Sequence, residues 1–481
     1  MQLTSRKYHF KSLANNCCNA KRGSGIIICM GKYTILLLAL VFQWSALAEP
    51  IDGILRRSQI PTKHFGIWME GEKTVWTHNA DVLMTPASLS KIPTAAAVLG
   101  VLGLGHNFET RVWSSEPISG PEFKGDLYLQ GGGDPSLVSE NYWAIVNELK
   151  RSGIKSFKGQ LYVDSSLFDE EYFSDSRQSV RVDRAYDAPV AAMSFNWNSV
   201  NIFVRPGKRG EAAVVFADPQ NDYIELKNQV RTGAKTELRV ERRSKKQHDE
   251  VIVSGTIALG SVEQAIYKSI SHPDFWAGEN FKTFLNQQGI EYSGTVEKKA
   301  PPPSAQLLVT FKSKPLRDIV TDMAKFSNNY VAEMLTKALS QQKPATLKKG
   351  VERIEQWLID NGWKQKNFVF ENPSGFSHDN KFRAQDLGQL LVDLRSKHAI
   401  FPEFMVSLPI AGVDGTLKKR LKDKATEVRA KTGYLDGIIG LAGYYQKNGE
   451  QKAFVFMYNG PTKYDSQVRD VFDNILRNGS F

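Results

Sequence analysis

Ser88 and Lys91 stand three residues apart in the stretch Pro86-Ala87-Ser88-Leu89-Ser90-Lys91. Residues i and i+3 share one face of a helix, so the amine can reach the hydroxyl. Serine is a weak nucleophile at its own pKa and becomes useful beside a base. A lysine serves as that base when burial or a neighbouring cation lowers its pKa. A helix start adds unpaired N–H groups and a positive dipole end, which favour developing negative charge. The bland reading of the same pair is a cap serine followed by a surface lysine.

Two later motifs outweigh the bland reading. Ser327-Asn328-Asn329 fits Ser-x-Asn, and Lys431-Thr432-Gly433 fits Lys-Thr-Gly. Each is weak alone. The three in this order form the set used by class A β-lactamases and penicillin-binding proteins for serine acyl transfer.

The elements that must position these groups are legible in outline. Phe65 to Trp76 alternates as a hairpin does, turning at Glu70-Gly71-Glu72. The helix from Ser88 tolerates Pro93 near its first turn and runs through Ala95, Ala96, Ala97, Val98 and Leu99. Gly100, Gly103 and Gly105 are expected to end it. From Gly105 to about Pro303 short strand-like runs dominate: Asp126–Gln130, Gln160–Asp164, Val200–Arg205, Ala213–Phe216, Tyr223–Leu226 and Val251–Ile257. Within that region helices are expected only over Ser261–Ser269 and Asn280–Gln288. Ala300-Pro301-Pro302-Pro303-Ser304 is a stiff boundary linker. Helical periodicity returns over Leu316–Phe326, Tyr330–Ser340, Leu347–Asn361 and Arg383–Lys397. Strands follow at Glu427–Lys431, Gly440–Tyr445 and Ala453–Tyr458, then a closing helix over Tyr464–Arg477. Helices on both sides of an antiparallel sheet predict an α/β (α+β) sandwich of segregated layers carrying a mostly β insertion.

Composition is globular, with 41% hydrophobic and 23% charged residues over 481 positions. The N-terminus reads as an export signal: Lys32, an apolar run from Tyr33 to Leu40 continuing to Trp44, and Ala46-Leu47-Ala48 as the cleavage site. The run is too short for a comfortable membrane span. Met30-Gly31-Lys32 would make a compact signal start, which puts Met30 forward as an alternative initiator. Cleavage after Ala48 removes Cys17, Cys18 and Cys29, so no disulfide, thiol nucleophile or thiolate metal site is expected afterwards. A cysteine-free exported chain suits a bacterial periplasm. The remaining 56 Lys and Arg against 51 Asp and Glu are only mildly basic, and nucleic acid is not an expected partner.

The motifs and their spacing resemble the class C low-molecular-mass penicillin-binding proteins, the D-alanyl-D-alanine carboxypeptidase/endopeptidase group. The long gap between Lys91 and Ser327 discriminates here, because class A β-lactamases and simpler carboxypeptidases place Ser-x-Asn much nearer the serine. Gly131-Gly132-Gly133-Asp134-Pro135, Tyr186-Asp187-Ala188-Pro189, Asn372-Pro373-Ser374-Gly375 and Leu408 to Thr416 look similar too. The resemblance implies a transpeptidase-like catalytic domain over 49–106 and 304–481 after a signal peptide over 1–48. It implies an inserted β domain over 107–132 and 210–303, with a nested insert over 133–209. The chain departs from the pattern at His378, where an arginine is common, with Arg383 as a substitute. It departs again at Tyr434, where a threonine is common.

What the resemblance implies for chemistry follows residue by residue. Ser88 attacks the carbonyl between two D-amino acids and Lys91 takes its proton. Ser327 relays a proton to the leaving amine with Lys431, while Asn329 holds the substrate amide and the lysine. Lys431 and Thr432 bind the terminal carboxylate, and Gly433 lets the substrate backbone lie on the strand edge. The N–H groups of Ser88 and Tyr434 form an oxyanion hole. Asp187, His378 and Arg383 are the expected contacts to the stem peptide. The implied partners are peptidoglycan stem peptides and β-lactams, with no metal or organic cofactor. A β-lactamase is the rival enzyme, but no Glu-x-x-x-Asn deacylating base follows Ser-x-Asn. A silent cell-wall scaffold is the rival from another class, and the full set Ser88, Lys91, Ser327, Asn329 and Lys431 argues against it.

Other features carry two readings each. Ser90 is a capping or packing residue rather than a second nucleophile. Asp134 is a turn residue or a catalytic acid, and Asp187 a turn residue or a cation-binding group. Arg239 to Lys246 is a solvated hairpin or a weak contact to glycan or membrane surface. Phe195-Asn196-Trp197 feeds the core or forms an aromatic platform for a sugar or peptide. The histidines after position 48 show no metal-ligand spacing. Oligomeric state leaves no signal in the sequence.

Overall fold

The computed structural model describes residues 49–174 and 185–480. The expected signal segment over 1–48, with Met30 and the three cysteines, lies outside the described residues.

The part that carries the three motifs is built on a five-stranded antiparallel sheet, ordered 428–435, 438–447, 450–459, 65–70 and 75–78. Alternate side chains of a strand point to opposite faces, and here both faces are apolar. Ile67, Phe454 and Phe456 pack on one side with Val468 and Phe472 of the closing helix Asp465–Asn478 and with the helix Ile51–Arg57. Trp68, Val455 and Met457 point to the other side, into the core shared by helices 91–102, 316–325, 329–339, 347–360 and 384–395. The expected sandwich is therefore present as helix, sheet and helix layers. The last three strands are each longer than their apolar runs suggested, because sheet pairing continues into polar ends such as Gln446↔Gln451.

The insertion leaves this sandwich after Leu102. Strand 109–114 returns against strand 306–312, and a mixed sheet runs 296–298, 161–164, 127–130, 109–114, 306–312. Two three-stranded sheets follow, ordered 214–218, 199–205, 264–269 and 224–233, 249–258, 237–244. A single apolar cluster ties them together, with Trp276, Phe195 and Tyr142 among its members.

Three sequence expectations need correction. Ser261–Ser269 is not helical: Gln264–Ser269 is a strand antiparallel to 199–204, with Ile266 opposite Ile202. Ala265, Ile266 and Tyr267 are consecutive and give no strand period, but exposure alternates along the segment, and cross-strand pairing decides the outcome. A helix over Ser139–Arg151 was not expected, although Tyr142, Ile145, Val146 and Leu149 form its buried stripe at spacings of three and four. The helix expected from Asn280 starts earlier, at Pro273, where proline suits the first turn.

Asp134 takes its turn role, accepting from the Ser136 N–H at 2.7 Å and hydroxyl at 2.6 Å. The basic run lies in the edge strand Glu237–Ser244, where Arg243 pairs with Glu241 at 2.8 Å and Arg242 with Asp249 at 3.5 Å. No helix among the described residues is long and apolar enough to cross a membrane.

Candidate active site

The serine does not sit in an α-helix. Ala87–Ser90 forms a 3₁₀ turn, and the α-helix begins at Lys91 and runs to Leu102. In a 3₁₀ turn residues i and i+3 eclipse, so Ser88 and Lys91 still share one face. Lys91 Nζ donates to Ser88 Oγ at 3.2 Å. The helix ends at Leu102 with Gly103 (φ 85°) as its cap, and it runs through Gly100, where a Cβ would lie 2.8 Å from Trp357 Nε1.

The turn itself is held in a costly shape. Ala87 has φ 48°, a left-handed conformation that non-glycine residues avoid. Gly375 (φ 73°) packs directly on it: a Cβ there would fall 1.9 Å from the Ala87 carbonyl oxygen. The Asn372-Pro373-Ser374-Gly375 segment therefore forms the floor beneath Ser88. Its Ser374 carbonyl accepts from Lys91 Nζ at 2.5 Å and from Ser88 Oγ at 3.4 Å. That carbonyl is a site component the sequence reading missed, since a backbone acceptor leaves no residue-type signal. Ser90 is buried and accepts from Asn380 Nδ2 at 2.8 Å, which is its packing role.

Lys91 is buried, and its third acceptor comes from far along the chain: Asn329 Oδ1 at 2.6 Å. Ser88 Oγ, Asn329 Oδ1 and the Ser374 carbonyl match the three donors of an ammonium. Asn329 opens the helix Asn329–Leu339, whose Asn328 cap accepts from the Val331 N–H at 3.1 Å. Asn329 Nδ2 donates to Asp187 Oδ1 at 2.7 Å. Asp187 is thus buried behind Asn329.

Opposite Lys91 lies the second lysine. Lys431 Nζ donates to Ser327 Oγ at 2.7 Å and to the Thr432 carbonyl at 2.7 Å. Burial pushes the Lys431 amine well below its ordinary value, and the positive charge of Lys91 adds to the effect. Ser327 adopts φ 55°, so both hydroxyl-bearing turns of the site contain left-handed residues.

The strand 428–435 is an edge strand against the serine turn; a Cβ on Gly433 would meet the Pro86 carbonyl oxygen at 2.8 Å. Its outer edge pairs at the near end, where the Ala430 N–H donates to the Pro409 carbonyl and the Ala411 N–H to the Val428 carbonyl, both at 2.9 Å. Backbone groups alternate along a strand, so Thr432 and Tyr434 face the same outer edge. Among the described residues that edge makes no backbone–backbone hydrogen bond beyond Ala430, which leaves it open to an extended peptide. Thr432 Oγ1 donates to Thr416 Oγ1 at 2.8 Å. The Tyr434 ring is exposed and stacks under Arg469 at 4.7 Å.

Ser88, Lys91, Ser327, Asn329 and Lys431 are thus brought into one linked pair of clusters, with Thr432, Gly433 and Tyr434 on the adjoining edge. His378 is exposed, and its carbonyl accepts from Thr85 Oγ1 at 3.2 Å. Arg383 is held by Asp386 through two bonds of 2.6 and 2.7 Å.

A serine hydrogen-bonded to a buried lysine, on a helix–sheet–helix sandwich, stands in the class to which the comparisons point. The chain belongs to the D-Ala-D-Ala carboxypeptidase 3 (S13) family, which it matches over residues 47–478. It is 31% identical over 444 residues to the D-alanyl-D-alanine carboxypeptidase of Actinomadura sp. (strain R39), covering 86% of this chain and 81% of that one. It is 28% identical over 393 residues to the D-alanyl-D-alanine carboxypeptidase DacB of Haemophilus influenzae, covering 80% and 82%. The crystal structure of penicillin binding protein 4 from Haemophilus influenzae matches with a TM-score of 0.76 at 25% identity, over 89% of this chain and 98% of that one. A second structure of that protein, complexed with a β-lactam, shares the fold with a TM-score of 0.72.

Proposed function

We propose that the chain is a serine D-Ala-D-Ala carboxypeptidase that removes terminal D-alanine from peptidoglycan stem peptides through an acyl-enzyme on Ser88, and that it also cuts peptide cross-bridges as a DD-endopeptidase. The observation that carries the reading is the Lys91 amine bound at once to Ser88 Oγ at 3.2 Å and Asn329 Oδ1 at 2.6 Å. With Lys91 as the neutral amine, its two N–H groups kept on Asn329 Oδ1 and the Ser374 carbonyl, Ser88 Oγ attacks the carbonyl carbon of the scissile D,D-peptide bond and its hydroxyl proton passes to the lone pair of Lys91. The oxyanion forms between the Ser88 and Tyr434 N–H groups. Ser327 passes a proton to the leaving nitrogen, resupplied through Lys431, and D-alanine departs. Water then attacks the ester carbonyl, its proton passing back through Ser327 to Lys431, and Ser88 Oγ leaves with the proton held on Lys91.

Thr432 and Lys431 receive the terminal carboxylate in this scheme, and Asn329 holds the substrate amide. A β-lactam enters the same path and stops at the ester. Stem-peptide contacts fall to exposed His378, while Arg383 and Asp187 act through Asp386 and Asn329. The chain is exported to the periplasm after cleavage at Ala48, with initiation at Met30 as the alternative start. The insertion is divided into 107–132 with 210–303 and a nested 133–209.

Intact-protein mass after incubation with a β-lactam tests the nucleophile. A stable adduct on the wild type and none on Ser88→Ala is expected. No adduct on either would remove the acyl-serine reading, and rapid loss of drug without an adduct would mean a β-lactamase.

A further inference from the structure

Beside the active site lies a groove of about 1330 Å³, larger than the roughly 300–1,000 Å³ of a pocket for a small ligand. It is lined by both the insertion and the catalytic part, and it reaches Asn328, the middle residue of Ser327-Asn328-Asn329. Four large aromatic rings stand open in its walls: Trp197 is 41% exposed, Tyr186 42%, Tyr267 58% and Phe326 69%. Phe326 directly precedes Ser327.

The chain holds Trp197 there against its own preference. Asn196, Trp197 and Asn198 are consecutive left-handed residues, with φ 47°, 51° and 48°. That conformation is a strong outlier for a bulky side chain and costs of order 1–3 kcal/mol per residue. The flanking asparagines maintain it. Asn196 Nδ2 donates to Ser139 Oγ at 3.1 Å, and Asn198 Nδ2 donates to the Pro189 carbonyl at 2.8 Å. Phe195 enters the core at one end of the turn, and Trp197 is turned out at the other. Its ring has no hydrogen bond or ring contact among the described residues.

The rest of the lining mixes amides, hydroxyls and carboxylates, including Asn201, Gln220, Gln287 and Asp218, and among the described residues no Lys, Arg or His lines the groove. Flat rings with neutral and acidic hydrogen-bonding groups do not suit a polyanion. They suit a neutral chain with apolar ring faces and many hydroxyl and amide groups, which is the chemistry of an N-acetylated amino-sugar strand. We infer that this groove is a saccharide subsite that takes the glycan to which the stem peptide is joined, with Trp197 and Tyr267 as stacking platforms. The inference rests on the proposed peptidoglycan substrate, whose peptide must reach Ser88 while its sugars lie nearby.

The test compares kcat/KM for a disaccharide-pentapeptide with that for the same pentapeptide without sugars. The wild type is expected to favour the sugar-bearing substrate by roughly tenfold, equivalent to about 1.4 kcal/mol. Trp197→Ala and, on the opposite strand, Tyr267→Ser are expected to bring the two values together, with β-lactam acylation of Ser88 reporting that each variant is folded. Equal wild-type values, or variants that lower both substrates in parallel, overturn the subsite. Should neither peptide be cleaved, the proposed reaction fails instead. The groove is then read by quenching of tryptophan fluorescence in Ser88→Ala with the peptide-free disaccharide. Quenching lost in Trp197→Phe upholds the subsite, and no quenching overturns it in favour of a protein or peptide occupant.

Discussion

Asp187 fixes which way Asn329 faces: its Oδ1 accepts from Asn329 Nδ2 at 2.7 Å, which leaves Asn329 Oδ1 to accept from Lys91 at 2.6 Å. A carboxylate can only accept and an ammonium can only donate, so the two neighbours determine the amide orientation. Asp187→Asn removes that constraint, because an amide offers both donor and acceptor. The rate of β-lactam acylation is expected to fall by roughly 10- to 100-fold, the usual cost of losing an orienting partner behind a functional group. The pH profile of acylation is expected to move while the melting temperature stays close to wild type. An unchanged rate and profile would reduce Asp187 to a packing residue.

Lys431 makes stability depend on pH. Its folded pKa lies well below its ordinary value through burial and then through Lys91. Between the lowered value and about 10.4 the unfolded chain holds the proton more tightly, so stability rises with pH, by up to about 1.4 kcal/mol per pH unit. Below both values the cost of charging the buried amine is fully present. Lys431→Met lacks this cost. Its stability advantage over the wild type is expected to be largest in acid and to shrink as pH rises. Urea melts of both proteins across neutral and alkaline pH would check it.

Gly375→Ala reaches the nucleophile through the backbone. The new methyl group meets the Ala87 carbonyl at 1.9 Å in a left-handed position. A loss of at least about 2 kcal/mol is expected, with acylation impaired further than the melting temperature suggests. Unfolding curves and the β-lactam adduct rate, read on the same sample, separate the two effects.

Tyr434→Thr is expected to leave β-lactam acylation within about threefold of wild type, because the oxyanion role proposed for this position uses the backbone N–H. A loss of a hundredfold would show that the Tyr434 ring touches the substrate.

Lys337 fastens the Asn329 helix to the insertion. It is buried, pairs with Asp169 and donates to the Glu171 carbonyl at 2.8 Å. Lys337→Met leaves Asp169 without its counter-charge and is expected to cost about 3–5 kcal/mol in chemical denaturation. Adding Asp169→Asn should recover part of that loss.

Much of this protein was present in residue types and periods alone. Ser88 and Lys91 share a face in either helical geometry, and the strands and helices of the catalytic part declared themselves by apolar spacing because each packs against a single large core. Other features depend on the folded chain. Strand Gln264–Ser269 is a strand because 199–205 lies beside it, and its sequence by itself resembled a helix. Asp187, read as a ligand contact, is placed behind Asn329 by a fold that joins positions 142 residues apart. The Ser374 carbonyl and the left-handed Ala87 carry no side-chain signature, since a backbone acceptor or a strained φ is imposed by what packs around it. Local pattern determined which groups were available for chemistry, because it follows from covalent spacing and helix or strand period. Tertiary packing decided which of them meet and at what pKa, because desolvation and long-range hydrogen bonds exist only once distant segments have closed on one another.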